Sequence, residues 1–224
     1  MSALAEKLKS ESAVDRDAYE KVRKLGQQRL MQYGFPTLKT EEWKYTSLRL
    51  IEKREIGDRQ GQVSPLPEFP LEATVLHFDH GRLVTSPDGL PAGLSLSPMS
   101  PDAIASKDYD AIYGQQSAAF AWLNLARFQE AWKLTVSGEQ TLILAITTSP
   151  EFNGEAFPRL HIELAPNASL ELIEYHRDEG EGLVSVASEI ELGQGGRMQH
   201  AIRRDNHESV WVQRTDVTVG RDAD

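Results

Sequence analysis

The sequence predicts a mainly β protein whose second half winds as a β-solenoid, preceded by a small α-helical region. The first observation is a repeat that begins after Trp132. Four stretches, starting at Val136, Leu164, Leu192 and Val219, each place a tight turn rich in Gly, Asn or Pro after an apolar residue. Their starts are 28, 28 and 27 residues apart. A strand-rich unit at fixed spacing, with no helix between copies, is typical of stacked β-coils.

Alternating runs flank these turns and support the same interpretation. In RLHIEL, Leu160, Ile162 and Leu164 face one side of a strand while the polar residues between them face the other. One alternative is an immunoglobulin-like sandwich, but nothing in that architecture requires a constant spacing between turns. The other is a chance alignment of weak turns. The fourth copy stops inside its turn at Asp224, so we expect a truncated solenoid, unless a second copy of the chain covers that end.

Residues 1–60 form the predicted helical N-terminal region. Apolar positions recur at helical spacing over residues 15–33, and a shorter helix is expected around residues 3–9. A further turn follows a helix-breaking Phe-Pro pair, and in it Trp43 and Tyr45 are predicted to be anchors. A tryptophan in such a turn is most often a packing residue, and a knob that binds a partner is the functional alternative.

The charge balance changes near residue 60. The first 60 residues hold 13 Lys and Arg against 10 Asp and Glu, a net charge of +3, whereas the rest holds 11 against 24, a net charge of −13. The opposite signs are consistent with docking of the N-terminal region on the larger part or on a partner. Ordinary solvated helix faces explain them as well.

Residues 61–131 are predicted to lead into the solenoid, whose first coils occupy residues 132–224. The stretch GQVSPLPEFP has three prolines, which favour an extended linker. Apolar alternation around Asp79, His80 and Gly81 then predicts a β-hairpin. Two helices are expected after it, over residues 102–112 and 117–129.

Composition excludes several classes of protein. No run approaches the roughly 18 apolar residues of a membrane helix, and the first segment is polar where a signal peptide would be apolar. The chain has no cysteine, so it can form no disulfide and offers no thiolate ligand, which fits a cytoplasmic location. A net charge of −10 argues against a nucleic-acid binder.

Familiar catalytic and metal motifs are missing from the sequence. The six histidines form no HxH, HxxxH or HExxH pair, so a metal site would need long-range contacts. The GQGG stretch lacks the Lys-Ser/Thr of a phosphate loop and leads into a strand pattern, so turn glycines explain it. Serine and acidic residues are too numerous for a catalytic triad to be identified. We therefore predict no catalytic, metal-binding or cofactor-binding residue.

Two polar residues are predicted to face the interior of the solenoid. On RMQHAIRR, the side defined by Met198 and Ile202 also carries His200, and on WVQRTDVTV the side of Trp211 carries Gln213. Polar groups in a core must be hydrogen-bonded. They are either satisfied core residues or the lining of a polar path or small-ligand position along the axis. A His200→Leu variant that gains stability and keeps function would remove the second interpretation.

Several stretches resemble one known family. PTLKTEEWKYTSL resembles the PT-x-K-x-E-x-WKYT signature of the SufB/SufD family of iron–sulfur cluster assembly proteins, and FAWLNLARFQEAWKLTV and PRLHIELAPNASLELIEYH look like that family too. The resemblance implies an N-terminal helical region, a right-handed parallel β-helix core and a C-terminal helical region. The early position of the helices and of WKYT favours the SufD branch. The later coils and the C-terminal region of the family have no counterpart in these 224 residues.

The resemblance also implies a function and a set of partners. Such a chain would be a non-enzymatic subunit that acts with a SufB-like paralogue and a SufC-like ABC ATPase, and SufD is linked to iron acquisition. The cluster would be a product of the complex, with no cofactor held by this part. No catalytic residue is carried over, and a structural or docking role falls on Thr40, Glu41, Glu42, Trp43, Lys44, Tyr45 and Thr46.

A second class of function stays open at this point. β-Solenoids often bind polysaccharide along a strand face, so a carbohydrate-active or carbohydrate-binding protein is the alternative. Such an enzyme needs paired carboxylates at a defined separation and aromatic platforms. The sequence offers Glu163, Glu171 and Glu191 without a clear pair.

Overall fold

The structure is a computed structural model, and it describes residues 19–52, 56–59, 61–85, 89–114 and 116–224. The predicted helix around residues 3–9 and the first residues of the predicted helix over 15–33 lie outside these ranges. The described chain forms a β-solenoid with helices packed on one of its two sheets, as the sequence predicts.

Eleven strands are present in the described ranges. In chain order they are β1 (Thr74–Asp79), β2 (Arg82–Leu83), β3 (Leu94–Pro98), β4 (Trp132–Val136), β5 (Glu139–Thr148), β6 (Glu155–Ala156), β7 (Arg159–Leu164), β8 (Ser169–Asp178), β9 (Leu183–Leu192), β10 (Arg197–His207) and β11 (Val210–Val219). One sheet has the order β10-β8-β5-β1-β2 and the other β11-β9-β7-β4-β3, with β6 beside β9. Each coil contributes one strand to each sheet, so the chain winds through three coils and begins a fourth.

The strand register confirms the predicted repeat. Val136 pairs with Leu164, Leu164 with Leu192, and Leu192 with Val219, all across parallel strands. The turn after each of these residues contains a residue in the left-handed backbone region, such as Asn167 with φ 61°. Glycine and asparagine tolerate that region best, which explains the composition of the repeated turns.

The predicted hairpin also forms. Strand β1 turns at His80 and Gly81 into β2, which pairs with it antiparallel. Strand β1 itself pairs in parallel with β5 and so extends the first sheet. On the second sheet, β3 pairs antiparallel with β4. The first coil is therefore covered by strands that precede it in the chain.

Five α-helices lie in the described ranges: α1 (Glu20–Tyr33), α2 (Arg49–Glu52), α3 (Pro101–Ala105), α4 (Tyr109–Tyr113) and α5 (Ala119–Arg127). The single helix predicted over 102–112 is wrong, because the chain breaks into α3 and α4. Asp108 starts α4 as its N-cap, accepting a hydrogen bond from the backbone N–H of Ala111 at 3.1 Å. This residue type competes with helix-interior hydrogen bonds, so it favours a new start over continuation.

The helices pack on the outer side of the second sheet. Buried apolar residues of α1 and α5 share a cluster with Leu183 of β9. The Asn124 amide of α5 donates to the carbonyl oxygens of Pro158 and Ser185, at 3.1 and 2.6 Å. A Cβ on Gly26 of α1 would lie 2.6 Å from a backbone nitrogen of α5, so only glycine permits this approach. None of the helices in the described ranges is long and apolar enough to span a bilayer.

Candidate functional site

The solenoid lumen, the space between the inward side chains of the two sheets, changes from apolar to polar along the stack of coils. One column of paired inward residues starts with Phe78 on β1 and Ile146 on β5, and continues with His176 on β8 and Arg204 on β10. The adjacent column consists of Leu76, Leu144, Glu174 and Ile202. In these two columns the earlier coils therefore carry hydrocarbon side chains, and polar groups enter at β8.

Glu174 is the centre of this polar region. Its side chain is 0% exposed, and three donors reach its carboxylate. His176 Nε2 lies 2.9 Å from Oε2, His200 Nε2 lies 3.0 Å from Oε1, and Gln213 Nε2 donates to Oε2 at 2.6 Å. A carboxylate only accepts, so both imidazoles present their Nε2–H groups to it. We call Glu174, His176, His200 and Gln213 the Glu174 centre.

The electrostatics of the Glu174 centre favour the ionised carboxylate. Burial alone raises the pKa of Glu174, because it penalises the charged form. Hydrogen bonds from His176 and His200, with their electrostatic attraction, outweigh burial and lower the pKa to about 2. The group is therefore a buried anion that depends on its three donors.

The two inward residues predicted from the sequence, His200 and Gln213, both contact Glu174. The side chain of His200 is 21% exposed, and Gln213 is half-buried. Neither residue is free to line a path, since the Nε2 atom of each is bonded to the carboxylate. Sequence reasoning missed Glu174 and His176 themselves. The stretch LELIEYH contained the signal. Leu170 and Leu172 show which side of the strand faces the core, and the alternation of side chains places Glu174 and His176 on that same side.

A second layer of polar groups lies beside this centre. The rings of His176 and Trp211 stack with centroids 4.4 Å apart and an interplanar angle of 26°. The Arg204 guanidinium lies 5.0 Å from the Trp211 ring centroid and 3.6 Å from the Asp178 carboxylate. Asp178 also accepts a hydrogen bond from the backbone N–H of Ser209 at 2.9 Å. This layer links β8, β10 and β11 near the ends of their strands.

A different buried cluster, the Glu189 centre, joins the helices to the outer side of the second sheet. Arg159 and Lys107 each lie 2.5 Å from the Glu189 carboxylate. Arg159 also donates to the Tyr113 hydroxyl at 2.8 Å and to Asn124 Oδ1 at 3.1 Å. Burial raises the pKa of Glu189, but the charges of Arg159 and Lys107 outweigh it and hold the pKa below its usual value. The Glu189 centre consists of Glu189, Arg159, Lys107 and Tyr113.

A third polar chain resembles a serine-hydrolase triad in spacing. His80 Nδ1 lies 2.5 Å from Asp79 Oδ2, and His80 Nε2 lies 3.2 Å from Ser149 Oγ. However, Ser149 is only 2% exposed, and its own backbone N–H donates to His80 Nε2 at 3.1 Å. Because that nitrogen already accepts a backbone hydrogen bond, it cannot serve freely as a base toward the hydroxyl. These contacts between Asp79, His80 and Ser149 hold the β1–β2 hairpin against β5.

The TEEWKYT segment divides into a packed side and an exposed side. Trp43 donates its indole N–H to the Ser117 carbonyl at 3.0 Å and packs against Phe120, with ring centroids 5.6 Å apart. Tyr45 is 91% exposed, with the Lys44 ammonium 5.2 Å from its ring centroid. The expectation that Trp43 is an anchor is therefore met, and the expectation that Tyr45 is one is wrong. The other predicted motif residues, Thr40, Glu41, Glu42 and Thr46, are half-buried or exposed.

The three carboxylates considered for carbohydrate chemistry do not form one site. Glu163 and Glu191 are register neighbours on β7 and β9, whereas Glu171 lies on β8 in the other sheet. The Lys133 ammonium forms an ion pair with Glu163, and this hydrogen bond lowers the pKa of that carboxylate. Glu163 is thus held ionised, which suits a surface ion pair and not a general acid.

Within the described ranges, no three histidine or acidic side chains are arranged to hold a metal ion. In the Glu174 centre each of the two carboxylate oxygens accepts a hydrogen bond from one imidazole, so both oxygens already have partners within the protein. No protein-family model matches the chain, and no curated protein is significantly similar to it.

Proposed function

We propose that this chain serves as a non-catalytic subunit of a cytoplasmic iron–sulfur cluster assembly complex. It would act beside a SufB-like paralogue and a SufC-like ABC ATPase, with a part in iron acquisition. The proposal rests on the resemblance of the TEEWKYT segment and of the following coils to the SufD branch of the SufB/SufD family. A helical region packed on a β-solenoid is the architecture that this resemblance implies, so the fold supports the proposal.

The observation that carries the proposal is the division of the TEEWKYT segment. Trp43 is fixed by a hydrogen bond and by aromatic packing, and the next aromatic residue, Tyr45, points its ring almost wholly into solvent. A rigidly supported, exposed tyrosine beside a lysine is suited to a protein interface, because aromatic residues dominate binding energy there. The surface of a subunit without catalytic residues needs such contacts to position its partners.

The first test is assembly. The chain is co-expressed with the SufB-like and SufC-like proteins of the same genome, with an affinity tag on the ATPase. We expect the three to elute together in size-exclusion chromatography. Elution of the chain apart from both partners would overturn the proposal, and release of reducing ends from polysaccharides by the purified chain would favour the carbohydrate alternative.

The second test assigns the docking role to Tyr45. A Tyr45→Ala variant should weaken the association by about tenfold or more, the size expected for an interface hot spot. Leu38→Ala, at a site that is 56% exposed, is the matched control and should leave the association unchanged. Equal affinities for the Tyr45→Ala variant and the unaltered chain would remove the docking role and leave the assembly proposal to the first test.

A further inference from the structure

His161 lies where the helical layer meets the second sheet. It is on β7, its side chain is 6% exposed, and its Nδ1 atom lies 3.0 Å from the Lys107 ammonium nitrogen. Lys107 is in the turn between α3 and α4 and also forms an ion pair with Glu189 of β9. The side chain of Lys107 therefore joins this turn to two strands of the sheet, and one of its two contacts is a titratable ring.

The contact between His161 and Lys107 requires a neutral imidazole. An ammonium group only donates hydrogen bonds, so His161 Nδ1 has to be the acceptor. The hydrogen of the neutral ring is then on Nε2, which lies 3.7 Å from the Glu191 carboxylate. In a protonated ring Nδ1 also carries a hydrogen, so two positively charged donors would face each other at 3.0 Å.

The charges around His161 balance when the ring is neutral. The cations are Lys107 from the α3–α4 turn, Lys133 from β4 and Arg159 from β7, and the anions are Glu163 from β7 with Glu189 and Glu191 from β9. The Tyr113 hydroxyl of α4, which Arg159 contacts, is uncharged, because burial raises its pKa. Protonation of His161 thus adds a positive charge that these described neighbours do not balance. Burial and the charge of Lys107 lower the pKa of His161, and the attraction of Glu191 and Glu189 does not offset them.

Lys107 is the group that can move when the ring becomes charged. Its side chain is 17% exposed, so its ammonium can turn toward solvent. Glu189 then keeps Arg159 at 2.5 Å and the Tyr113 hydroxyl at 3.4 Å, so it is not left as a buried anion without partners.

We propose that His161 is a pH-sensitive switch for the docking of the α3–α4 turn on the second sheet. The neutral ring holds Lys107 against the sheet, and the protonated ring displaces Lys107 toward solvent. The switch does not depend on the proposed assembly function.

The direction of the pH dependence follows from the lowered pKa of His161. Release of the turn returns the ring toward its ordinary pKa of 6.5, so docking is complete above about pH 6.5 and weakens as the pH falls below that value. Because one proton is taken up, the docking equilibrium changes by at most about tenfold per pH unit. This window lies above that of Glu174, whose ionised form is lost below pH 4.5.

Amide hydrogen exchange in the whole chain measures the docking. The N–H groups of Ser106 and Ile112 donate to the carbonyl oxygens of Asp102 and Asp108, at 2.9 and 3.1 Å. Their protection, taken relative to the intrinsic exchange rate at each pH, should fall by up to about tenfold per unit below pH 6.5. In a His161→Asn variant the amide oxygen can accept from Lys107 in place of Nδ1 and does not titrate, so protection should stay constant. Equal pH profiles for the two chains would overturn the switch.

A second buried histidine provides the control variant. His77 is on β1 in the other sheet, burial lowers its pKa too, and its Nε2 atom lies 2.7 Å from the Thr147 hydroxyl oxygen. A His77→Gln variant should show the same profile for Ser106 and Ile112 as the unaltered chain. Loss of the pH dependence in His77→Gln would assign the titration to His77 and overturn the proposal.

Nuclear magnetic resonance of the ring nitrogens tests the contact in the unaltered chain, so it does not depend on the folding of a variant. The neutral ring of His161 should carry its hydrogen on Nε2, and its titration midpoint should lie below 6.5. Lys107→Met removes the opposing charge and should raise that midpoint. A neutral ring with its hydrogen on Nδ1, or a midpoint that Lys107→Met does not change, would overturn the switch.

Discussion

Two buried carboxylates on neighbouring parts of the solenoid are stabilised in different ways. Glu189 faces outward under the helices and is bound by Arg159 and Lys107, whose charges are permanent near neutral pH. Glu174 faces the lumen and is bound by two imidazoles and an amide, none of which needs to be charged to donate. The first centre joins two layers of the fold, and the second joins successive coils.

The difference follows from what surrounds each group. A buried anion is tolerated when charges or hydrogen bonds replace its hydration. At Glu189 the helical layer brings Lys107 and the Tyr113 hydroxyl to the surface of the sheet. The Lys107 side chain is still partly exposed there, so its ammonium group can reach solvent. In the lumen, the shorter side chains of β8, β10 and β11 supply the hydrogen-bond donors to Glu174. The Glu189 centre is thus an ion-pair clamp, and the Glu174 centre is a hydrogen-bond junction.

The largest expected effect is at the Glu189 centre. Arg159→Met keeps the volume of the side chain but leaves Glu189 buried with Lys107 as its one cation among the contacts described here. Breaking a buried ion pair in this way should lower the free energy of unfolding by about 3–5 kcal/mol. Urea unfolding followed by tryptophan fluorescence measures the change. Arg203→Met, which removes a solvent-exposed partner of Asp205, is the matched control and should change nothing measurable.

An equal loss in both variants would contradict the distinction between buried and exposed ion pairs. A stabilised Arg159→Met chain would show that the helix layer needs no ion pair at this position. Either result would show that the ion pair between Arg159 and Glu189 does not stabilise the fold.

The next effect separates the two carboxylates by pH. The pKa of Glu174 is lowered to about 2 from the ordinary 4.5, so its ionised form stabilises the fold above about pH 4.5. That contribution is lost as the pH falls from 4.5 toward 2. Glu174→Gln removes the charge, so its stability should fall less steeply over this window, and at neutral pH it should be about 1–3 kcal/mol less stable. Urea midpoints measured from pH 6 to pH 2.5 give both quantities.

Glu171→Gln provides the reference for that series. Glu171 lies on the same strand with its side chain exposed, and it should give the acid profile of the unaltered chain. Parallel profiles for the two variants would show that Glu174 is not a specially stabilised anion.

The solenoid could be predicted from the sequence because its determinants are local. Turn residues in the left-handed region and strict alternation recur at fixed spacing, and the register places Val136, Leu164 and Leu192 side by side. The break between α3 and α4 was missed, because the capping preference of Asp108 is weak beside the apolar pattern around it. When a capping signal and a helical apolar pattern are of similar strength, the sequence does not show where one helix ends and the next begins.

The polar centres were only half predictable, for a different reason. The alternation of side chains along a strand correctly predicted that His200 and Gln213 face inward. Alternation does not identify the side chain that they contact. The partner, Glu174, comes from another coil, 26 and 39 residues away. The exposure of Tyr45 was missed because an aromatic residue in a turn is indistinguishable by pattern from a packed one. Contacts between coils and between layers require the three-dimensional register.

The smallest expected effect concerns His200, and it tests the junction most directly. His200→Leu removes the single donor described for Glu174 Oε1 and places an apolar group beside a buried anion. Since His200 is itself 21% exposed, water can replace part of the lost hydrogen bond, and the free energy of unfolding should fall by only about 1 kcal/mol. Gln199→Leu, one residue earlier and facing out, is the control and should be neutral. A His200→Leu chain more stable than the unaltered one would mean that the lumen at β10 prefers hydrocarbon. The Glu174 centre would then be held by His176 and Gln213 without His200.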